Sequence, residues 1–238
     1  MKRDTTRSMN AGTGKSLTTG NACWETPPLI FEKLNDDFGP FDVDLTADPL
    51  RSLCPSWFGP GSPFGPKAYD VLTADALGVP GSAGDWSAFG FHNGYSNPPY
   101  GRFVRRMLLA AKLNALRCGF TSTLLLPLRV TGPFHQHVLA GAAELWFCDK
   151  RLTFFENGAP RLNVTQWEKH GKVMADCAMF DSILVRYLPG TPVEARPMLR
   201  VWNVPKHVTK ADIERARLQL GWLTPPATAV IKQKRRAA

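Results

Sequence analysis

Segments of strand character alternate with segments of helical period along this chain, and that alternation admits few folds. Between Pro27 and Gly39, the residues Ile30, Phe31, Leu34 and Phe38 recur on one helical face. Thr26 reads as the N-cap, Pro27 as the first helical residue and Gly39 as the stop. Phe41-Asp42-Val43-Asp44-Leu45 then reads as a short strand ending in carboxylates. Residues 49–66 are dense in proline and glycine and predict an irregular loop. Tyr69–Leu72 reads as a second strand. A helix is predicted from about Phe103 to Leu116, with Val104, Leu108, Ala111 and Ala115 at helical spacing. Thr121–Leu126 is continuous and apolar, the mark of a strand buried on both faces. A short helix near 133–140 leads to a strand at Glu144–Cys148. Leu152–Phe155 and Ser182–Leu188 are further strands, and Thr209–Leu220 is a short amphipathic helix capped by Thr209. The expectation is an α/β fold with a mostly parallel sheet and helices on both faces. In such sheets ligands bind beyond the carboxyl ends of the strands.

The chain has 238 residues, 44% of them apolar, which suits one α/β domain with appendages. Three parts are expected: a basic arm over 1–22, a core domain over 23–190, and a basic extension with a short helix over 191–238. Net charge is +9, and residues 1–20 carry four basic side chains against one acidic. Residues 205–238 carry eight basic against two acidic, so the intervening chain is neutral. Basic ends favour a polyanion through counterion release, and equally serve as solubilising tails. No apolar run approaches the ~20 residues that cross a bilayer. Met1–Asn10 is polar, which predicts no secretion signal and a cytoplasmic protein. The five cysteines are widely spaced without a C-x-x-C pair, so reduced thiols are expected, with neither a metal site nor disulfides.

Asn97-Pro98-Pro99-Tyr100 carries the chemistry. Two successive prolines cannot sit inside a central strand or a helix, so the segment is a strand-end loop. It stands before an Arg-rich helix. The exocyclic nitrogen of adenine is a poor nucleophile, because its lone pair is delocalised into the ring. The Asn97 side-chain oxygen can accept one of its N–H groups and the Pro98 carbonyl the other. Two such acceptors draw the nitrogen toward tetrahedral geometry and stabilise the positive charge that develops on attack. Pro99 stiffens the loop. Tyr100 offers a face on which an extruded base can stack, worth roughly 1–3 kcal/mol. A target inside a duplex must first be flipped out, at a cost of a few kcal/mol.

At this point the chain resembles the phage-type, Dam-like DNA N6-adenine methyltransferases. The resemblance runs from about Trp24 to Leu188. It rests on Trp24-Glu25-Thr26-Pro27-Pro28, Phe38-Gly39, the Phe41–Ala47 segment, Asp75-Ala76-Leu77 and Trp86. It continues through Asn97-Pro98-Pro99-Tyr100-Gly101, Leu124-Leu125-Leu126-Pro127 with Arg129, Arg151-Leu152-Thr153-Phe154, and the strand Ser182–Arg186. It implies a Rossmann-like fold, S-adenosyl-L-methionine as methyl donor and double-stranded DNA as partner. Thr26, Asp44 and Ala47 would then lie at the cofactor, and Asp75 would contact its adenine amino group. The chain has Ala47-Asp48-Pro49 where the family often has Gly-x-Gly.

Arg102, Arg105 and Arg106 open the helix after the loop, and Arg129, Lys150 and Arg151 follow other strands. They are candidates for phosphate contact, or for plain charged faces. Asp42 and Asp48 read as cofactor contacts or as caps of backbone N–H groups. His135 and His137 read as surface or packing histidines, and Trp167 as core or a DNA contact. Other readings are methylation of cytosine N4, an RNA adenine or a protein glutamine, and a non-catalytic nucleic-acid-binding relative.

Overall fold

The computed structural model describes residues 24–47, 49–65, 80–82, 84–100, 102–129, 132 and 134–222. The expected arm at 1–22, Asp48, the strand at 69–72, Asp75 and the chain beyond Trp222 lie outside these residues.

Helix α1 (Pro28–Phe38) buries Ile30, Leu34 and Phe38, the face read from the sequence. Pro27 precedes it without a side-chain cap. Thr26 is therefore not the N-cap that was expected. Its hydroxyl lies 2.6 Å from the hydroxyl of Tyr95, a buried group that needs a partner. Gly39 does end the helix, and its N–H reaches the Asn35 carbonyl at 2.9 Å. A Cβ on Gly39 would stand 2.4 Å from that oxygen, which reserves the position for glycine.

Strands β1 (Val43–Asp44) and β2 (Ser56–Trp57) follow, then a 3-10 turn at Trp86–Phe89 and strand β3 (Asn93–Ser96). Helix α2 (Arg102–Cys118) leads to β4 (Thr121–Pro127). A π-helical turn at Phe134–Leu139 precedes β5 (Glu144–Cys148). Next come β6 (Phe155–Glu156), β7 (Ala159–Pro160), α3 (Val164–His170), β8 (Ser182–Tyr187), β9 (Met198–Trp202) and α4 (Lys210–Gln219).

Seven of these strands form one sheet in the order β2-β1-β3-β4-β8-β5-β9. Pairings from β2 to β4 are parallel, β8 runs antiparallel to both neighbours, and β9 is parallel to β5. Side chains alternate between two cores, as strand geometry requires. Leu124, Leu126, Ile183 and Val185 face α2 and the π-helical turn through Met107, Leu108, Ala111 and Val138. Leu125, Leu184 and Tyr95 face α1 through Ile30 and Leu34. The fold is thus mixed α/β, with a mostly parallel central sheet and a helix layer on each face.

Asn114 locks α2 to the loop before β3. It is fully buried, and its amide group donates to the carbonyls of Gly84 and Ala110 at 2.9 and 3.0 Å. Its oxygen accepts the Trp86 N–H at 2.9 Å. Every polar atom of that side chain is engaged, so the entry to β3 is fixed.

Two further expectations fail. Leu152–Phe155 is no strand of the central sheet. Only Phe155–Glu156 is extended, and it pairs with Ala159–Pro160 in a separate hairpin. Asn157 and Gly158 form its turn at φ 54° and 74°, the tight two-residue connection that an Asn-Gly pair favours. The sheet also continues past residue 190. Strand β9 pairs with β5 from Met198 to Trp202, so the expected boundary at 190 separates two strands of one sheet. Its pattern was hard to read because four of its five residues are exposed. Helix α4 matches the expected range and cap, with Thr209 and Asp212 in a reciprocal capping box, but it buries only Ala216 and is not the amphipathic helix expected.

Candidate active site at the carboxyl ends of β1 and β3

From β1 the chain passes to β2 on one side, then crosses to β3 on the other. The β1/β3 junction is therefore the switch point of the sheet, the place where such folds bind their ligands at the strand ends. Asp44-Leu45-Thr46-Ala47 leaves β1 there, and Ser96-Asn97-Pro98-Pro99-Tyr100 leaves β3. Asp44, Thr46 and Ser96 are all buried. The Thr46 and Ser96 hydroxyls meet at 2.9 Å, and an Asp44 carboxylate oxygen accepts the Thr46 N–H at 3.1 Å. Ala47 is buried beside them. Asp42 instead takes the N–H groups of His92 and Asn93 at 2.8 and 2.9 Å, so it caps the start of β3 from the opposite end of the strand.

Asn97 sits directly past β3. Its side-chain nitrogen donates to the Trp24 carbonyl at 2.7 Å. A carbonyl can only accept, so this bond fixes which end of the amide is nitrogen. The Asn97 oxygen is thereby turned the other way, where the Tyr100 hydroxyl donates to it across 3.3 Å. That contact is at the long limit for a hydrogen bond between oxygens. Pro98 is buried and Pro99 exposed.

Tyr100 is not an open stacking platform here. Its ring meets Phe180 edge-to-face at 5.4 Å, with Trp24 at 6.1 Å and Phe154 at 6.3 Å. Trp24 and Phe180 stack at 5.5 Å, and the Arg161 guanidinium lies 5.5 Å from the Trp24 ring. Phe180, Trp24 and Phe154 therefore pack around this ring. Burial pushes the Tyr100 phenol well above its ordinary value, so it stays a neutral donor. Burial, aided by the nearby Asp44 and Asp42 carboxylates, pushes the Cys54 thiol up as well and keeps it unreactive.

The strap Trp24–Pro27 crosses this end of the sheet. Thr26 reaches Tyr95 in β3, and Glu25 pairs with Phe155 through two backbone bonds of 2.9 Å. Trp24, Phe154 and Phe180 were not identified as site residues from sequence. The first two stand in the motifs that carry the family resemblance, whereas Phe180 has no signal of its own. His207 holds the Phe154 segment: its Nε2 accepts the Thr153 N–H at 3.0 Å. Burial keeps this imidazole below its ordinary value, hence neutral.

The basic candidates spread along the same edge. Arg129 is exposed just past β4. Lys150 and Arg151 are exposed past β5, where Lys150 lies 3.7 Å from Asp149 and Arg151 3.1 Å from Asp181. Arg105 and Arg106 are exposed on α2, and Arg102 begins that helix. Trp167, considered as a DNA contact, is instead buried in a parallel stack on Trp222 at 5.2 Å.

No family model matches this chain, and no curated protein matches it.

Proposed function

We propose that this chain is a Rossmann-like, S-adenosyl-L-methionine-dependent methyltransferase acting on N6 of a flipped adenine in double-stranded DNA. One observation carries the reading. The Asn97 oxygen, oriented by the Trp24 carbonyl, stands at the switch point beside the carboxyl end of β1.

The donor set suits that cofactor. Asp44 is a carboxylate only 5% exposed, fit to accept from ammonium or ribose hydroxyl groups. The Thr46 and Ser96 hydroxyls lie alongside it. When bound, the cofactor supplies an electrophilic methyl group. Asp44, Thr46 and Ala47 would hold it, with Thr26 bracing Tyr95 beneath. Asp75 keeps its proposed role at the cofactor adenine.

The residues of the chain then do four things. Asn97 accepts an N–H of the target amine in place of the long contact from Tyr100. The Pro98 carbonyl accepts the second, and the two acceptors stabilise charge that grows on the nitrogen. Tyr100, once released from Phe180, stacks on the base. Arg105, Arg129, Lys150 and Arg151, with Arg102, supply a basic rim for backbone phosphates.

Labelled S-adenosyl-L-methionine offered with duplex DNA, RNA or a glutamine-bearing protein tests the proposal. Label in N6-methyladenine of DNA is expected. Label confined to RNA, to cytosine or to protein overturns it, as does a folded sample that binds no cofactor by calorimetry.

A further inference from the structure

We infer that Glu25 is a positioning residue that sets the direction of the Asn97 amide, and that the Asn157-Gly158 turn and α4 are the brace it works from. The chemical use of that amide rests on the methyltransferase reading; the geometry does not.

The chain of contacts starts at the turn. Asn157 and Gly158 both have positive φ, which points their successive N–H groups at one place. The Glu25 carboxylate fills it, one oxygen accepting the Asn157 N–H at 3.0 Å and the other the Gly158 N–H at 2.9 Å. Helix α4 grips the carbonyl side of the same turn. Arg215 donates to the Gly158 carbonyl at 3.0 Å and Gln219 to that of Asn157 at 3.4 Å. Arg51 adds an ion pair to Glu25 at 3.2 Å and a bond to the Asn157 side chain at 3.3 Å.

The next link is covalent. The Glu25 N–H and the Trp24 carbonyl belong to one planar peptide unit and point opposite ways. With the Glu25 N–H held on the Phe155 carbonyl at 2.9 Å, the Trp24 carbonyl has one direction open, and Asn97 lies along it at 2.7 Å. Released from the turn, the strap would lose both charge-assisted bonds of its side chain, and its two main-chain bonds to Phe155 would have to hold it alone. That pair would then open more often, and each opening would free the Trp24 carbonyl and the Asn97 oxygen with it. This also gives the 155–160 hairpin and α4 a task at the site, although no residue of α4 was expected there.

The test reads the Asn97 amide directly. Hydrogen exchange of its side-chain N–H₂, followed by ¹⁵N NMR in the full chain, should show one protected proton. Glu25→Ala should speed that exchange by about tenfold or more, the loss expected from removing bonds to a charged group. Glu25→Gln keeps one acceptor oxygen and should fall between. Arg51→Ala removes one ion pair to Glu25 but leaves the turn bonds in place, and should speed the exchange less than Glu25→Ala does. In methylation assays Glu25→Ala should lower kcat by about 10- to 100-fold with KM for DNA and cofactor nearly unchanged, as misplacement of a catalytic group does. Unchanged Asn97 protection in Glu25→Ala, or in Glu25→Gln if the alanine variant does not fold, overturns the inference. Loosened Asn97 in a chain whose wild type methylates nothing upholds the positioning role and overturns the proposed function.

Discussion

Two aromatic clusters of this protein have similar ring spacings and different chemistry. Phe58, Phe64, Phe89 and Phe91 meet at centroid distances from 5.0 to 6.4 Å, mostly edge-to-face. Trp24, Tyr100, Phe154 and Phe180 meet at 5.2 to 6.3 Å. The first has no polar atom in any side chain, and it runs from buried Phe58 to Phe89, which is 42% exposed. The second carries a hydroxyl that bonds Asn97, a main-chain carbonyl that bonds Asn97, and a guanidinium over one face. Ring packing alone therefore does not mark a site. What marks it is polar atoms held at fixed angles among rings, where low dielectric strengthens each bond.

Substitutions at each cluster should separate stability from chemistry. The largest effect expected is from Phe58→Ala, whose side chain is 3% exposed. It should cost about 3–5 kcal/mol of folding stability by denaturant titration, while the folded fraction keeps whatever S-adenosyl-L-methionine affinity calorimetry finds in the wild type. Asn97→Ala should do the reverse. Stability should fall by only about 1–3 kcal/mol as the bonds to Trp24 and Tyr100 are lost, while turnover should fall by the equivalent of about 2.7–4 kcal/mol in single-turnover methylation of DNA. Near-normal turnover in that variant would remove Asn97 from the chemistry and leave the two clusters alike. Tyr100→Phe deletes only the hydroxyl and its long contact, so stability should change by about 0.5–1.5 kcal/mol at most. Affinity for an extrahelical adenine should not fall, because a competitor for the Asn97 oxygen has been removed. Fluorescence of 2-aminopurine at the target position measures this.

The smallest expected effect concerns acid. His207 is held neutral in the fold, below the ordinary histidine value of 6.5, because burial disfavours its charged form. The unfolded chain thus binds the proton first as pH falls. Stability should be complete above about 6.5 and decline below it. The drop in melting temperature from about pH 7 to about pH 5 should shrink in His207→Gln. It should not vanish, because burial and the nearby Lys112 and Arg105 charges also depress His137.

The central strands and helices were legible because their residues obey one period each. Ile30, Leu34 and Phe38 repeat as a helix face must, and Leu124–Leu126 is apolar on both faces as a strand between two helix layers must be. Asn97-Pro98-Pro99-Tyr100 was legible because two prolines admit only a strand-end loop. Strand β9 was not, since Met198, Leu199 and Val201 are exposed and follow no burial pattern. Thr26 fitted a helix cap by type, and only the fold reveals that Tyr95, 69 positions away, claims its hydroxyl. Phe180 joins the site for the same reason. Long-range partners leave no mark in a local window, and the aromatic group around Tyr100 is assembled wholly from them.

The place of β8 has a consequence for how the protein is made. It fills the gap between β4 and β5, yet it is synthesised after both and after the hairpin and α3 that follow them. Until residue 187 is available, β4 and β5 each present an unpaired edge lined with large apolar side chains, the surface on which chains associate with one another. A nascent or truncated chain ending before Ser182 is therefore expected to aggregate, and assembly of the sheet awaits a contact distant in sequence, which slows folding.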